Sequence, residues 1–271
     1  MRIEMMSFSK SIPSIKSLKL SAKKIASTKN IPLSQALDLV ANEYGFTHWS
    51  LLHKYFKSVR MNNVESIWKS FLPGEMLLLS AAEGAGKLSF ALNLALYAAQ
   101  IKLPVKYYSM HVNASFIFER LNKISCQNLE CDLQQDQYME VEEKCFDQNT
   151  LIEKIKKDKP GSLLIIDYLQ AIVSHGEIDP YHDFVRELKL IAQQHTLRVL
   201  ILSQVNQEVN FESLEYIAGG GSISRHFAHV IHIEPQQREI EGEREIVLVK
   251  SIHYQKQKSL LQFNKDNYCF I

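Results

Sequence analysis

The chain of 271 residues has 46% hydrophobic and 23% charged residues and a formal net charge of +1, the make-up of an ordinary globular protein. That length accommodates one large domain, or one domain with a small appendage, and excludes a short disulfide-stapled scaffold. No apolar run is long enough to span a membrane, the first residues lack the continuous apolar core of an export signal, and four cysteines without a zinc-site spacing fit reduced thiols, so a cytoplasmic protein without a membrane partner is expected.

The near-zero charge conceals an asymmetry. Residues 1–60 hold ten Lys/Arg and three acids, whereas the remainder holds 21 Lys/Arg and 27 acids. A basic head on a mildly acidic body fits an anionic partner for the head, and equally fits a solvated helical surface. Residues 1–15 are Ser-rich and lack a clear period. In "SIKSLKLSAKKIASTKN" the apolar residues Ile15, Leu18, Ala22 and Ile25 recur at helical steps. "IPLSQALDLVANEYGF" repeats the pattern, with Pro32 near the start, Leu33, Ala36, Leu37, Val40 and Ala41 on one face, and Gly45 as a stop. "THWSLLHKYFKSV" predicts a third helix capped by Thr47, with Trp49, Leu52 and Phe56 inward. Residues 1–60 thus read as a small basic helical unit in which no groove-reading motif is legible.

Beyond Arg60 the pattern changes. "GEMLLLSA" reads as a buried strand, Lys87 to Gln100 as a helix, "VKYYSM" as a strand, and "NASFIFERLNKI" as a helix opened by Asn113. Residues 125–160 are polar and acidic with weak strand signals, and Glu140, Glu142 and Glu143 read as a solvated face. "SLLIIDYLQ" and "RVLILSQV" are buried strands on either side of an amphipathic helix that starts at Asp179 and Pro180. Strands alternating with helices predict an α/β fold with a mostly parallel sheet covered on both faces. "HVIHIEP", "REIVLVKSI" and "KSLLQFN" follow without intervening helices and predict an antiparallel extension.

Two stretches carry chemistry. "AAEGAGKLSF" follows a predicted strand and opens a helix, the setting in which a Gly-rich loop cradles phosphates. In it Ala81, Gly84, Ala85, Gly86, Lys87, Leu88 and Ser89 are the candidate nucleotide-binding positions. Lys87 supplies a cation, but Leu88 stands where a hydroxyl normally helps hold Mg²⁺. Ser89 is the next residue, and one helical step turns it by about 100° away. "LLIIDYLQ" ends a buried strand with Asp167, a candidate metal ligand at the sheet edge where ligands of such folds gather.

The ordered set "PGEMLLLSAAEGAGKLSFALNLA", "YYSM", "LLIIDYLQ", "LILSQVNQEV" and "LLQFNKDNYCFI" resembles the ATPase domain of DnaB-type replicative DNA helicases, over residues 64–271. The resemblance implies a RecA-like P-loop core, ATP with Mg²⁺, ring-shaped oligomers and single-stranded DNA as partner. It assigns Lys87 to the phosphates, Asp167 to magnesium and Gln204 to sensing the terminal phosphate. It also exposes three departures: Leu88 at the metal hydroxyl, His111 where the family has its water-orienting Glu, and Ile252 where the family has its arginine finger. Lys250 is retained beside the last, with Lys256 and Lys258 as alternative cations. Arg225 and His226, near the glycines of "GGGSISRHF", are candidate nucleic-acid contacts. Since the departures touch metal, water and transition-state charge, weak or lost hydrolysis is expected. Alternatives are a non-catalytic scaffold for a replication factor or nucleic acid, and an active helicase in mixed rings.

Overall fold

A computed structural model describes residues 13, 15–58, 61–125, 138–144, 146–172, 180–205, 214–217, 220–235 and 242–270. The chain divides into two compact units: one of residues up to 59 joined by Ile252–Gln255, the other of the remaining residues.

In the first unit, α1 (Ile15–Lys29), α2 (Leu33–Glu43) and α3 (Trp49–Ser58) bury the predicted stripes. Leu18, Ala22, Ala36, Val40, Ala41, Leu52 and Phe56 form the core, with Ile25, Leu37 and Trp49 packed at its margin. Tyr254, far away in sequence, packs there too, its ring 5.9 Å from that of Phe56. Gly45 ends α2 at φ +81, a conformation that glycine adopts without Cβ strain. Two expectations are corrected. The amide of Trp49 donates to Asp38 Oδ1 at 2.7 Å and the His48 carbonyl accepts from Leu52, so α3 is started by these groups and not by Thr47. Leu33 is 44% exposed, because α2 meets the core one turn later, at Ala36.

The second unit contains α4 (Val64–Ser70), β1 (Met76–Ala81), α5 (Lys87–Gln100), β2 (Val105–Ser109), α6 (Ala114–Ser125), β3 (Met139–Glu143), α7 (Gln148–Ile155), β4 (Leu163–Asp167), α8 (Pro180–Gln194), β5 (Arg198–Gln204), α9 (Gly220–Ser224), β6 (His229–Ile233), β7 (Glu243–Ser251), β8 (Gln257–Asn264) and β9 (Cys269–Phe270). Among the described residues nine strands lie in the order β3-β2-β4-β5-β1-β6-β7-β8-β9. The first six are parallel and the last three add antiparallel, as the helix-free pattern at the end of the sequence predicts. Every residue of β1, β4 and β6 is buried, which explains the apolar runs of β1 and β4, since with helices on both faces neither face meets water; β6 buries His229 and His232 among its apolar residues.

Asn63 caps α4 in a reciprocal box with Ser66, and Asn113 caps α6 by accepting from the Phe116 amide at 2.8 Å. α4, α7 and β9 have no counterpart in the sequence reading, since each is too short to display a full period. The acidic face of β3 is solvated at Glu140 and Glu143, as expected, and departs from that at Glu142. Glu142 is half-buried between Lys106 (3.3 Å) and Lys154 (2.5 Å), Glu140 also pairs with Lys106, and Glu143 accepts from the Ala114 amide. The expected helix start at Asp179 and the candidate loop positions 206–213 and 218–219 lie outside the described residues.

Candidate nucleotide site at the carboxyl edge of the sheet

The sheet order brings together what the sequence keeps apart. β5 lies between β1 and β4, and its register sets Ala81 opposite Gln204. The phosphate-loop strand, the Gln204 strand and the Asp167 strand therefore end at one edge.

At that edge, Gly84 and Gly86 hold φ of +75 and +104, and Gly86 caps α5 in a left-handed conformation. A Cβ on Gly86 would lie 3.3 Å from Phe270 Cζ, so both its backbone and its crowding favour glycine. The opening turn of α5 leaves amide N–H groups without helical acceptors, directed at the loop. Lys87 is half-buried and its Nζ reaches the Ala81 carbonyl at 3.4 Å. Burial pushes its pKa down, and the charges of Asp167 and Glu83 act against that.

Asp167 is 6% exposed and accepts from the Tyr107 hydroxyl at 2.7 Å. Burial raises the pKa of its carboxyl, while the Tyr107 hydrogen bond, Lys87 and His111 lower it. The lysine and the carboxylate are thus poorly hydrated groups of opposite charge that interact electrostatically. A polyphosphate with a divalent cation fits this pair: Lys87 and the loop would hold phosphate oxygens, and Asp167 would hold Mg²⁺ together with those oxygens. The fit on the metal side is thin. Leu88 offers no ligand atom, and Ser89 is 2% exposed, its Oγ 3.4 Å from Arg120 Nη1 and its carbonyl bonded to Asn93 Nδ2. Ser89 is therefore committed elsewhere, as the helical rotation predicts. Ala81 and Ala85 are buried walls of the loop.

His111 is exposed, two residues past β2, with Nε2 3.1 Å from the Tyr168 hydroxyl. It stands at the mouth of the site and touches Asp167 only electrostatically. Gln204 is held through its backbone: Gln170 Nε2 donates to its carbonyl at 2.6 Å, and its amide donates to Gln170 Oε1 at 3.2 Å.

Sequence reasoning missed four side chains here. Gln170 positions Gln204, and Tyr107 orients Asp167. Arg120 of α6 has its guanidinium 4.0 Å from the Tyr268 ring centroid and reaches the first turn of α5. His232 lies on β6 beside β1, its Nδ1 3.0 Å from Ser80 Oγ, and burial followed by the charge of Lys87 lowers its pKa to about 4. Gln170 was visible as the end of "DYLQ"; the other three carry no local signal, because only strand pairing and helix packing bring them to the edge.

The other sequence candidates lie apart. Arg225 Nη2 meets His182 Nε2, and the rings of His182 and His226 are 5.3 Å apart. Burial and the charges of Lys189, His182, Arg225 and Lys250 lower the His226 pKa to about 4. Lys250 donates to the carbonyls of Ser224 and Phe227 and is pushed down to about 8, first by burial and then by Lys189. Lys258 pairs with Glu245 at 2.6 Å, and Lys256 is exposed. Ile252 belongs to the first unit.

The fold is similar to that of RecA-like helicase ATPase domains. A DnaB-like replicative helicase, solved for its interactions with primase, superposes with a TM-score of 0.66 at 17% identity, covering 94% of this chain and 76% of that one. A second solved structure, an ATPase domain, gives 0.64 at 17%, covering 82% and 96%, and the RadB recombinase gives 0.57 at 17%, covering 73% and 90%. No protein-family model and no curated protein matches the sequence.

Proposed function

We propose that this chain is a helicase-like, nucleotide-binding and DNA-associated protein whose loop binds ATP and hydrolyses it weakly or not at all. The observation that carries the reading is the electrostatic coupling of half-buried Lys87 to buried Asp167 beside a left-handed Gly86, while Leu88 fills the position of the metal hydroxyl. The first two supply charge complementary to a phosphate–magnesium pair. Leucine removes one metal ligand, and exposed His111 is a poor replacement for a carboxylate in orienting water.

When bound, ATP and Mg²⁺ supply the phosphoanhydride and a Lewis acid. Lys87 binds the terminal phosphates, Tyr107 holds the Asp167 carboxylate in one orientation, and Gln170 fixes the backbone of Gln204, which stands opposite Ala81 in the sheet. Arg225 and His226 are proposed contacts for the phosphates of single-stranded DNA, and ring formation is part of the same helicase-like reading. The test is binding of a fluorescent ATP analogue with Mg²⁺, measured beside phosphate release with single-stranded DNA. Saturable binding without release supports the reading; no binding overturns it in favour of a non-catalytic scaffold. The contact of Lys87 with its own loop carbonyl, a closed arrangement, is the observation that favours that second reading.

A further inference from the structure

The basic helical unit carries a surface that the nucleotide site does not use. α1 turns Leu18 and Ala22 into the core, yet it also carries Leu20, which is 59% exposed. Leu20 lines a groove of about 420 Å³ together with Ile15, Lys19, Lys23 and Ile252, itself 42% exposed. All five residues belong to the first unit. A lone exposed leucine carries no message, whereas several aliphatic groups lining one concavity are an unsatisfied apolar surface. Ile15, Lys19 and Lys23 follow one another at four-residue steps, so both ammonium groups stand along one side of the groove. Among the described residues neither lysine has a salt-bridge partner. The charge around them is uncompensated as well, with ten Lys/Arg against three acids over residues 1–60.

We propose that this groove docks an acidic amphipathic helix of a partner protein, with its apolar stripe on Ile15, Leu20 and Ile252 and its carboxylates on Lys19 and Lys23. An aliphatic floor with a cationic rim is the complement of a helix whose apolar residues recur at three- and four-residue steps between Asp and Glu. A nucleic acid fits less well, since the described residues that line the groove include no aromatic ring on which a base could stack and no guanidinium fork for phosphate. A membrane fits less well because insertion needs a projecting apolar ridge, and this surface is concave. Ile252 gains a role in this arrangement. It occupies the position at which the resembled helicases carry an arginine, and here an aliphatic side chain completes the floor.

The full chain, without nucleotide, is used as bait for a displayed library of helical peptides about four turns long that vary in charge and apolar pattern. The expected winners carry one apolar stripe flanked by Asp or Glu. Their binding, read by fluorescence anisotropy, should weaken at least tenfold with Leu20→Asp and with the double reversal Lys19→Glu, Lys23→Glu. Exchanging the peptide acids for lysines should restore binding to the double reversal, a gain that a folding defect cannot produce. Winners without acids, affinities indifferent to both variants, or no winners at all would overturn the proposal. So would binding at Leu20 that selects phosphatidylserine vesicles or a single-stranded oligonucleotide over the acidic peptides. Nucleotide binding by the Leu20→Asp variant, measured in parallel, separates failure here from failure of the nucleotide reading.

Discussion

Lys87 and Asp167 are each worse solvated in the folded protein than in water, and the physical consequences are opposite in sign. Burial lowers the lysine pKa and raises the carboxyl pKa. A bound polyphosphate would restore what the lysine lost, so Lys87→Ala should weaken binding of a fluorescent ATP analogue at least tenfold, about 1.4 kcal/mol, in a direct titration. For Asp167, a raised folded-state pKa means that the native protein holds the proton more tightly than the unfolded chain. Its contribution to stability is complete below the ordinary 3.8 and is lost as pH rises through the raised value. Asp167→Asn keeps an acceptor for the Tyr107 hydroxyl and removes the charge. The variant should therefore melt at a higher temperature than the parent at neutral pH, with the gap closing toward pH 3.8, as calorimetry across pH would read. A stabilising substitution that also abolishes Mg²⁺-dependent nucleotide binding would mark Asp167 as a charge kept for function. Both residues were legible in the sequence, Lys87 as the cation of a Gly-rich loop that opens a helix and Asp167 as the acid that ends a continuous apolar run. Tyr107 was not, since it is one aromatic residue in a strand and acquires its role only when β2 pairs with β4.

Among the elements, α5 and β9 belong together. Asn93 of α5 donates to the Ser89 carbonyl at 2.7 Å and the Tyr268 carbonyl at 3.0 Å, and accepts from the Phe270 amide at 3.2 Å. Phe270 meets Phe90 edge-on at 5.3 Å and lies against Gly86. One buried amide thus fastens the end of the chain to the helix that opens the phosphate loop. Asn93→Leu leaves the Phe270 amide and the Tyr268 carbonyl unpaired, and should cost about 1–3 kcal/mol in a denaturant titration. It should also weaken nucleotide binding, because β9 is one wall of the loop. β6 adds an acid-sensitive group. His232 has its pKa lowered from 6.5 to about 4, so the unfolded chain takes up its proton first, and stability is lost as pH falls from 6.5 toward 4. His232→Asn should flatten that part of the stability–pH curve. The long strands and helices were legible from period and burial. α4, α7 and β9 were not, because two turns of helix or two residues of strand do not complete a pattern that separates them from a loop.

For the molecule as a whole, the proposed function takes Leu88, His111 and Ile252 to stand where the resembled helicases carry reacting groups, and its expected outcome is plain. The purified chain with Mg²⁺ and single-stranded DNA should release phosphate no faster than its Lys87→Ala variant, in a coupled assay sensitive to slow turnover. Release that the variant abolishes would show that other groups have replaced the missing metal ligand and water-orienting carboxylate. The charge asymmetry that the sequence displays is confined to the first unit, and there the tertiary structure adds what composition could not. Tyr254 and Ile252 join helices some two hundred residues away, so the segment between β7 and β8 serves the head's core and groove.

The sequence by itself determined which segments are buried, because an unbroken apolar run or a helical stripe is a local record of what each segment must hide from water. It also made the candidate loop, Lys87 and Asp167 legible, because each stands in a recognisable run of consecutive residues. Only the tertiary structure decided that β5 separates β1 from β4, that Tyr107, Gln170, Arg120 and His232 gather around the loop, and that residues 252–255 join the head. Such neighbours are selected by the packing and hydrogen bonding of many segments at once. No single window of the chain carries that sum.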